Sequence, residues 1–176
     1  MSARLLKPAF LLVLLAPLYG ASLQGQDPNR FVGTWTMDAS RSESPHLDVP
    51  VESFTMLITA SDGGLSIETT RQDQGSPLFH EILHVKLDGS ETTSTGNAGV
   101  PVRAHARWEG GALVVETSRE VERATVTTHE KHSLSANGRD MTVEKTLTVQ
   151  HGYQGSNPAM APTTGHGKDV FVRSAS

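Results

Sequence analysis

The sequence of 176 residues contains no cysteine, only two tryptophans and few basic residues. Without cysteine the chain forms no disulfide, no thiolate zinc site and no thiol nucleophile, and it offers no thiol for a lipid anchor. Its 15 lysines and arginines stand against 19 acidic residues and give a formal net charge of -4. Because nucleic acids and anionic membranes attract basic surfaces, we expect neither of them as the principal partner.

Long apolar runs are also missing, apart from one near the start of the chain. Ala9 to Leu18 form an apolar run that follows Arg4 and Lys7 and precedes the small residues Gly20 to Ser22. This order is typical of a secretory signal peptide, and the run is too short for a membrane span, which needs about 20 residues. We therefore expect a secreted or periplasmic location, with no membrane insertion after the signal is cleaved.

The remaining chain has the size of one domain. We assign residues 1–25 to the signal peptide, with cleavage between Gly20 and Gln26, and residues 26–176 to the mature protein. A chain of about 150 residues is long enough to bury one hydrophobic core. Loss of the two basic residues of the signal changes the formal net charge from -4 to about -6.

Turn signals recur at short intervals through the mature chain. They combine glycine with Asp, Asn or Glu and lie at 61–64, 88–90, 109–111 and 136–140. The segments between them are rich in Thr, Val and Ile, which is typical of strands. The candidate strands are 32–38, 52–60, 65–72, 78–87, 90–95, 101–109, 112–119, 123–133, 140–150 and 168–173.

Apolar and polar side chains alternate along several of these strands. Phe54, Met56 and Ile58 share one face of their strand, as Met141 and Val143 do in a later one. Short strands joined by hairpin-length turns predict an all-β fold. We expect a single antiparallel up-and-down barrel of about 8–10 strands, because closing a meander removes its exposed edges. A β-sandwich is the alternative architecture.

Two regions interrupt the regular spacing of strands and turns. Ser40 to Pro50 is polar and contains two prolines, which predicts a loop that crosses one end of the barrel. Gln150 to Gly167 is rich in Gly and Pro and predicts a long insertion without regular structure before a last strand at Asp169 to Arg173. Loops of that length are either functional lids or disordered segments, and both interpretations stay open here.

The segment Gly33 to Ser42 opens with Gly-Thr-Trp and continues with Asp38, Ala39 and Arg41. It resembles the first barrel strand of the lipocalin and wider calycin group, and in particular a set of exported bacterial lipocalin-like proteins of unassigned function. The hairpins at 87–90 and 133–142 are similar to hairpins of that set. The chain departs from typical lipocalins in lacking the Thr-Asp-Tyr loop and a helix flanking the barrel.

The resemblance implies a structural motif made of Gly33, Trp35 and Arg173. In lipocalins the tryptophan closes the base of the barrel and an arginine of the last strand packs across it, a position that Arg173 matches. It also implies a small ligand in the barrel mouth, for which we name Trp35, Glu81 and Trp108 as candidate ligand-binding residues. Glu81 is the one acid that strand parity places on an apolar face, either as a polar anchor for a ligand or as a core acid with a partner.

The segment His80-Glu81-Ile82-Leu83-His84 matches the zinc-binding signature of metalloproteases. That signature requires a helix, in which residues four apart lie about 6 Å from each other. In a strand His80 and His84 lie about 13 Å apart and cannot share one ion. Ser76-Pro77 favours a helix start, whereas the alternation that follows and the Asp88-Gly89 turn favour a strand.

We predict a strand for this segment, and therefore no metal site, no cofactor and no catalytic residue. The leading functional hypothesis is an exported barrel that binds a small apolar molecule. The first alternative is a structural or interaction module of the cell envelope whose barrel is filled by side chains. The second alternative is a zinc-dependent hydrolase that uses His80, Glu81 and His84.

Overall fold

The computed structural model describes residues 26–43, 49–152 and 161–175. This part of the chain consists of ten strands and three short 3-10 helices, Pro28–Arg30, Ala39–Arg41 and Asn97–Gly99, with no α-helix in the described ranges. The strands are β1 (Gly33–Met37), β2 (Val51–Ser61), β3 (Gly64–Asp73), β4 (Phe79–Lys86), β5 (Thr92–Thr95), β6 (Pro101–Glu109), β7 (Ala112–Val121), β8 (Ala124–Leu134), β9 (Asp140–His151) and β10 (Thr163–Arg173).

All ten strands belong to one antiparallel sheet in the order β4-β3-β2-β1-β10-β9-β8-β7-β6-β5. Strands that are neighbours in sequence pair with each other, except β4 and β5, which are the two edges of the sheet. The first strand pairs with the last, with Trp35 opposite Arg173. The sheet thereby curls into a nearly closed up-and-down barrel. This confirms the predicted barrel and its strand number against the sandwich alternative.

The two ends of the sheet, β4 and β5, meet at a seam that side chains close. The backbone N–H of His84 donates to Ser94 Oγ at 3.0 Å, and the hydroxyl of Thr92 donates to the carbonyl of His84. Farther along, the backbone N–H of His80 donates to Asn97 Oδ1 at 3.2 Å. Short polar side chains therefore take the place of ladder hydrogen bonds at an edge that would otherwise be unpaired.

The base of the barrel is packed around Trp35, which is fully buried. Its indole Nε1 donates to the carbonyl of Phe31 at 2.8 Å, and the Arg173 guanidinium lies 4.1 Å from the centre of its ring. Gly33 has a φ of 143°, and a side chain there would meet Arg173 Nη1 at 2.6 Å. Glycine at this position thus lets the arginine reach across the tryptophan.

The last strand is longer than the sequence predicts. Thr163 to Gly167, which we expected to belong to an irregular insertion, pair in register with β9 from Val149 to Lys145. The prediction was wrong here because two glycines in this stretch mask its alternation, while the neighbouring strand supplies the hydrogen-bond ladder. The rest of the expected insertion, residues 153–160, lies outside the described residues.

Other predicted segments fall wholly or partly outside the described ranges. The expected signal peptide, residues 1–25, is one of them, and so are residues 44–48 of the expected crossing loop. The start of that loop forms the short helix Ala39–Arg41, which Asp38 caps through its side chain. In the ranges that the structure does describe, no helix has the length and apolar character needed to cross a membrane.

Candidate functional site

The barrel encloses a cavity of about 290 Å³ between its inward-facing side chains. Several lining residues, among them Leu83, Thr128 and Leu147, are partly exposed. Most of its apolar wall comes from five strands, β2, β3, β4, β7 and β9, through Phe54, Met56, Ile67, Leu83, Val115 and Val143. This volume is close to the lower limit of the 300–1,000 Å³ or so that small-molecule sites usually have.

An ion pair between Glu81 and Arg119 forms part of the cavity wall. The Arg119 guanidinium donates to both carboxylate oxygens of Glu81, at 2.7 and 2.9 Å, and the backbone N–H of Asn97 donates to the same carboxylate at 3.2 Å. Glu81 is buried. Two parallel hydrogen bonds make this a bidentate ion pair, which is the strongest arrangement for a carboxylate and a guanidinium. The pair links β4 to β7 across the seam.

A second charged group lies inside the barrel around Lys145. Its Nζ lies 3.0 Å from Asp169 Oδ2 and 3.6 Å from Glu130 Oε1, and Glu130 also contacts His132 at 3.3 Å. Burial by itself raises the pKa of Glu130, but the charge of Lys145 and the hydrogen bond with His132 outweigh burial and lower it to about 2. Burial likewise lowers the pKa of Lys145, but the two carboxylates outweigh it and hold that pKa above its usual value.

The third interior cation is Arg71. Its guanidinium forms an ion pair with Asp73 at 2.8 Å and lies 5.9 Å from the ring centres of both Phe54 and Phe79. Its Nε is buried without a hydrogen-bond partner among the described residues. The two rings and Asp73 together surround the charge at one side of the cavity.

A smaller cavity of about 170 Å³ continues the space along β10. It shares Lys145 and Leu147 with the central cavity. These two side chains are paired with Gly167 and Gly165, so the inner face of β10 has no side chains over this stretch. At Gly165 and Gly167 the β10 side of this cavity is therefore backbone.

Placing valine at Gly165 is expected to raise the free energy of unfolding by about 0.5–1 kcal/mol, because glycine in a strand is conformationally costly and packs nothing. A side chain at this position meets no described atom within 4 Å. Urea unfolding of the variant measures the change. Gly64→Val is the matched control and is expected to be destabilised, since its Cβ would lie 1.9 Å from the carbonyl of Val85. A loss of stability in Gly165→Val would show that this space is filled.

The three candidate ligand-binding residues lie in two different places. Glu81 lines the central cavity. Trp35 lies in the packed base, and Trp108 contacts Phe31 there with 5.8 Å between ring centres. Neither tryptophan lines the two cavities described above. A ligand role for them stays a prediction.

The zinc-like segment forms β4, a strand, as its alternation predicts. His80 and His84 are exposed on the outer face, and Glu81 between them points inward. His80 contacts Glu68 of the neighbouring strand at 2.9 Å. Among the described residues no group of three or more His, Asp or Glu side chains is arranged to hold a metal ion.

The expectation that Glu81 is the one acid on an apolar face was wrong, because Asp169 is buried in the interior and Glu130 lines the cavity. Arg119 and Lys145 were missed as well. A signal for Lys145 was present in the sequence, since it lies at the even spacing set by Met141 and Val143. No pattern in the sequence indicated which of these charged residues would pair with each other.

No protein-family model matches the chain, and no curated protein matches its sequence. Solved structures match its fold. One is a REP1-NXSQ fatty acid transporter, 12% identical with a TM-score of 0.50, and the match covers 84% of this chain and 98% of that chain. Another is a secretary abundant heat soluble (SAHS) protein from Ramazzottius varieornatus, 15% identical with a TM-score of 0.50, covering 82% of this chain and 96% of that chain.

These neighbours are calycin-type barrels. The likeness agrees with the resemblance seen at Gly33 to Ser42, and at such low identity it shows the fold alone. The bacterial and exported character that the sequence resemblance implies stays a prediction.

Proposed function

We propose that this barrel binds a small, largely apolar molecule in its interior. The observation that carries the proposal is the central cavity, with its apolar wall and its few charged groups at defined places. Pockets for small ligands combine these two features, because apolar surface supplies affinity and a few polar groups supply orientation. A barrel filled by side chains would have no such space.

The matched structures also support binding of an apolar molecule in the interior. One of the matched barrels is named a fatty acid transporter, so a barrel of this shape accommodates an elongated apolar molecule. The smaller cavity beside Gly165 and Gly167 shares Lys145 and Leu147 with the central cavity and adds space next to it. The zinc-dependent hydrolase finds no support, because His80 and His84 lie on the outer face of a strand.

A pair of neighbouring threonines on β8 tests the proposal. Thr128 lines the cavity, whereas Thr127 is exposed on the outer face. We expect the neutral dye N-phenyl-1-naphthylamine to bind the wild-type protein with enhanced fluorescence. Thr128→Phe, which fills the cavity, is expected to weaken binding about tenfold or more, equivalent to ~1.4 kcal/mol. Thr127→Phe is expected to leave it unchanged.

Thermal unfolding of both variants checks that they remain folded. If the wild-type protein does not bind the dye, the filled barrel of an envelope module is the better interpretation. Equal weakening by Thr127→Phe and Thr128→Phe would place the dye on the surface and contradict binding in the interior.

Binding of this kind would take place outside the cytoplasm if the expected signal peptide directs export. The support for export is the order of basic, apolar and small residues between Arg4 and Ser22. N-terminal sequencing of the protein secreted by its own leader tests it, with a new terminus expected between Gly20 and Gln26.

A further inference from the structure

From the pairing of the interior charges we infer that the ligand is uncharged, and that the barrel selects neutral apolar molecules against organic anions of the same length. This inference rests on the proposed function and adds the charge class of the ligand. It concerns Arg71, Arg119 and Lys145, the three cations that line the cavity.

Each of these cations already has a carboxylate of the protein as its partner. Arg119 holds Glu81 through two hydrogen bonds at 2.7 and 2.9 Å. Lys145 lies 3.0 Å from Asp169 and 3.6 Å from Glu130. An incoming anion would have to separate one of these pairs in a partly buried site, which leaves a protein carboxylate there without its counter-charge.

Arg71 follows the same pattern with Asp73 at 2.8 Å. Three interior cations thus face four interior carboxylates, two of which, Asp73 and Asp169, lie behind Arg71 and Lys145 rather than on the cavity wall. One oxygen of each is buried with no hydrogen-bond partner in the described part of the chain. Each interior cation thus has a carboxylate within 3.0 Å, so the interior charge around the ligand is not positive overall, and the Nε of Arg71 is the one cationic donor among the three that is buried without a hydrogen-bond partner in the described part of the chain.

A neutral ligand meets none of these penalties. Its apolar body contacts the Phe54, Met56 and Val143 side of the cavity, and it enters without disturbing an ion pair. The interior charges then act as negative selection, since they penalise a competitor that carries charge rather than attract the ligand.

The test compares decan-1-ol with decanoate, which have equal chain length and differ in charge at pH 7.5. Both displace N-phenyl-1-naphthylamine from the protein, and the measured quantity is the ratio of their displacement constants. We expect decan-1-ol to bind the wild-type barrel at least about tenfold more tightly. Equal or tighter binding of decanoate would overturn the inference while leaving the proposed function intact.

Decanoate is more soluble in water than decan-1-ol, and this alone would favour binding of the alcohol. Two variants show whether the interior charges of the protein contribute to the preference. Glu81→Gln removes the carboxylate partner of Arg119, and Asp169→Asn removes one partner of Lys145. Glu81→Gln is expected to shift the ratio toward decanoate about tenfold, because Arg119 then becomes available to the ligand. Asp169→Asn is expected to shift the ratio in the same direction by a smaller factor, because Glu130 still lies 3.6 Å from Lys145. Using the ratio cancels any general loss of affinity in a less stable variant.

Glu116→Gln is the matched control, since Glu116 binds Arg107 and His105 away from the cavity. It is expected to leave the ratio unchanged. If Glu81→Gln and Asp169→Asn, both shown to be folded by circular dichroism, also leave it within twofold of the wild type, the inference is wrong. Failure of the wild-type protein to bind dye or either ligand would instead overturn the proposed function itself, and this inference with it.

Discussion

Replacing Trp35 with alanine is expected to lower the free energy of unfolding by about 3–5 kcal/mol, which is the usual range for a large aromatic residue removed from a core. Trp35 is fully buried at the base of the barrel. Its loss leaves a cavity and also leaves the Phe31 carbonyl without its indole donor. Arg173 loses the ring on which its guanidinium lies.

Urea unfolding followed by circular dichroism measures this change. Trp35→Phe is the matched control, since it keeps most of the packing and loses mainly the hydrogen bond, for an expected change of about 1–2 kcal/mol. Under conditions where Trp35→Ala remains folded, we expect it to bind N-phenyl-1-naphthylamine, because Trp35 does not line the cavity. Lost binding with unchanged stability would instead make this tryptophan a ligand contact.

Replacing Lys145 with methionine is expected to lower the free energy of unfolding by about 3 kcal/mol at pH 7. Methionine has a similar length but no charge, so Glu130 and Asp169 keep their places inside the barrel without their shared counter-ion. A buried charge that loses its partner destabilises the folded state more than the intact pair stabilises it. Lys86→Met, at an exposed position of β4, is the control and is expected to change stability little.

The effect of Lys145→Met depends on pH in a direction that the pKa of Glu130 sets. In the wild-type protein that pKa is lowered from 4.5 to about 2, so the stability it contributes is present above pH 4.5 and is lost as the pH falls toward 2. The difference in free energy of unfolding between the wild type and Lys145→Met should therefore become smaller as the pH falls through this window.

A second window lies at high pH. The pKa of Lys145 is raised above 10.5, so its contribution is present below that value and is lost as the pH rises through the folded-state pKa.

Unfolding of the wild-type protein and of Lys145→Met at pH 3, 5 and 7 tests the acidic window. If the difference in their free energies of unfolding stays constant from pH 7 to pH 3, Lys145 acts through packing rather than through charge.

In β4 two patterns in the sequence predicted different structures. His80 to His84 matches a helical zinc signature letter by letter, yet the alternation of Phe79, Leu83 and Val85 correctly predicted a strand. Side-chain alternation is a local property that follows from the pleat, and it identified most strands to within a few residues. It failed for Thr163 to Gly167, where glycines carry no alternation and pairing with β9 supplies the order.

The site was predicted less completely than the fold. Strand parity placed Glu81 in the interior, but its partner Arg119 lies 38 residues away on β7. Similarly, Lys145 lies 24 residues from Asp169. No short-range pattern links residues at such separations, so the sequence pointed to an acid that needs a partner without naming that partner.

For this protein, the sequence by itself determined the all-β class, the number of strands and the Gly-Thr-Trp base, because these depend on alternation, turn residues and a local motif. The tertiary structure decided which strands form the seam, that charged groups point into the barrel, and that each interior cation is paired with a carboxylate. These features depend on where the sheet closes on itself, and closure brings together residues that no local rule connects.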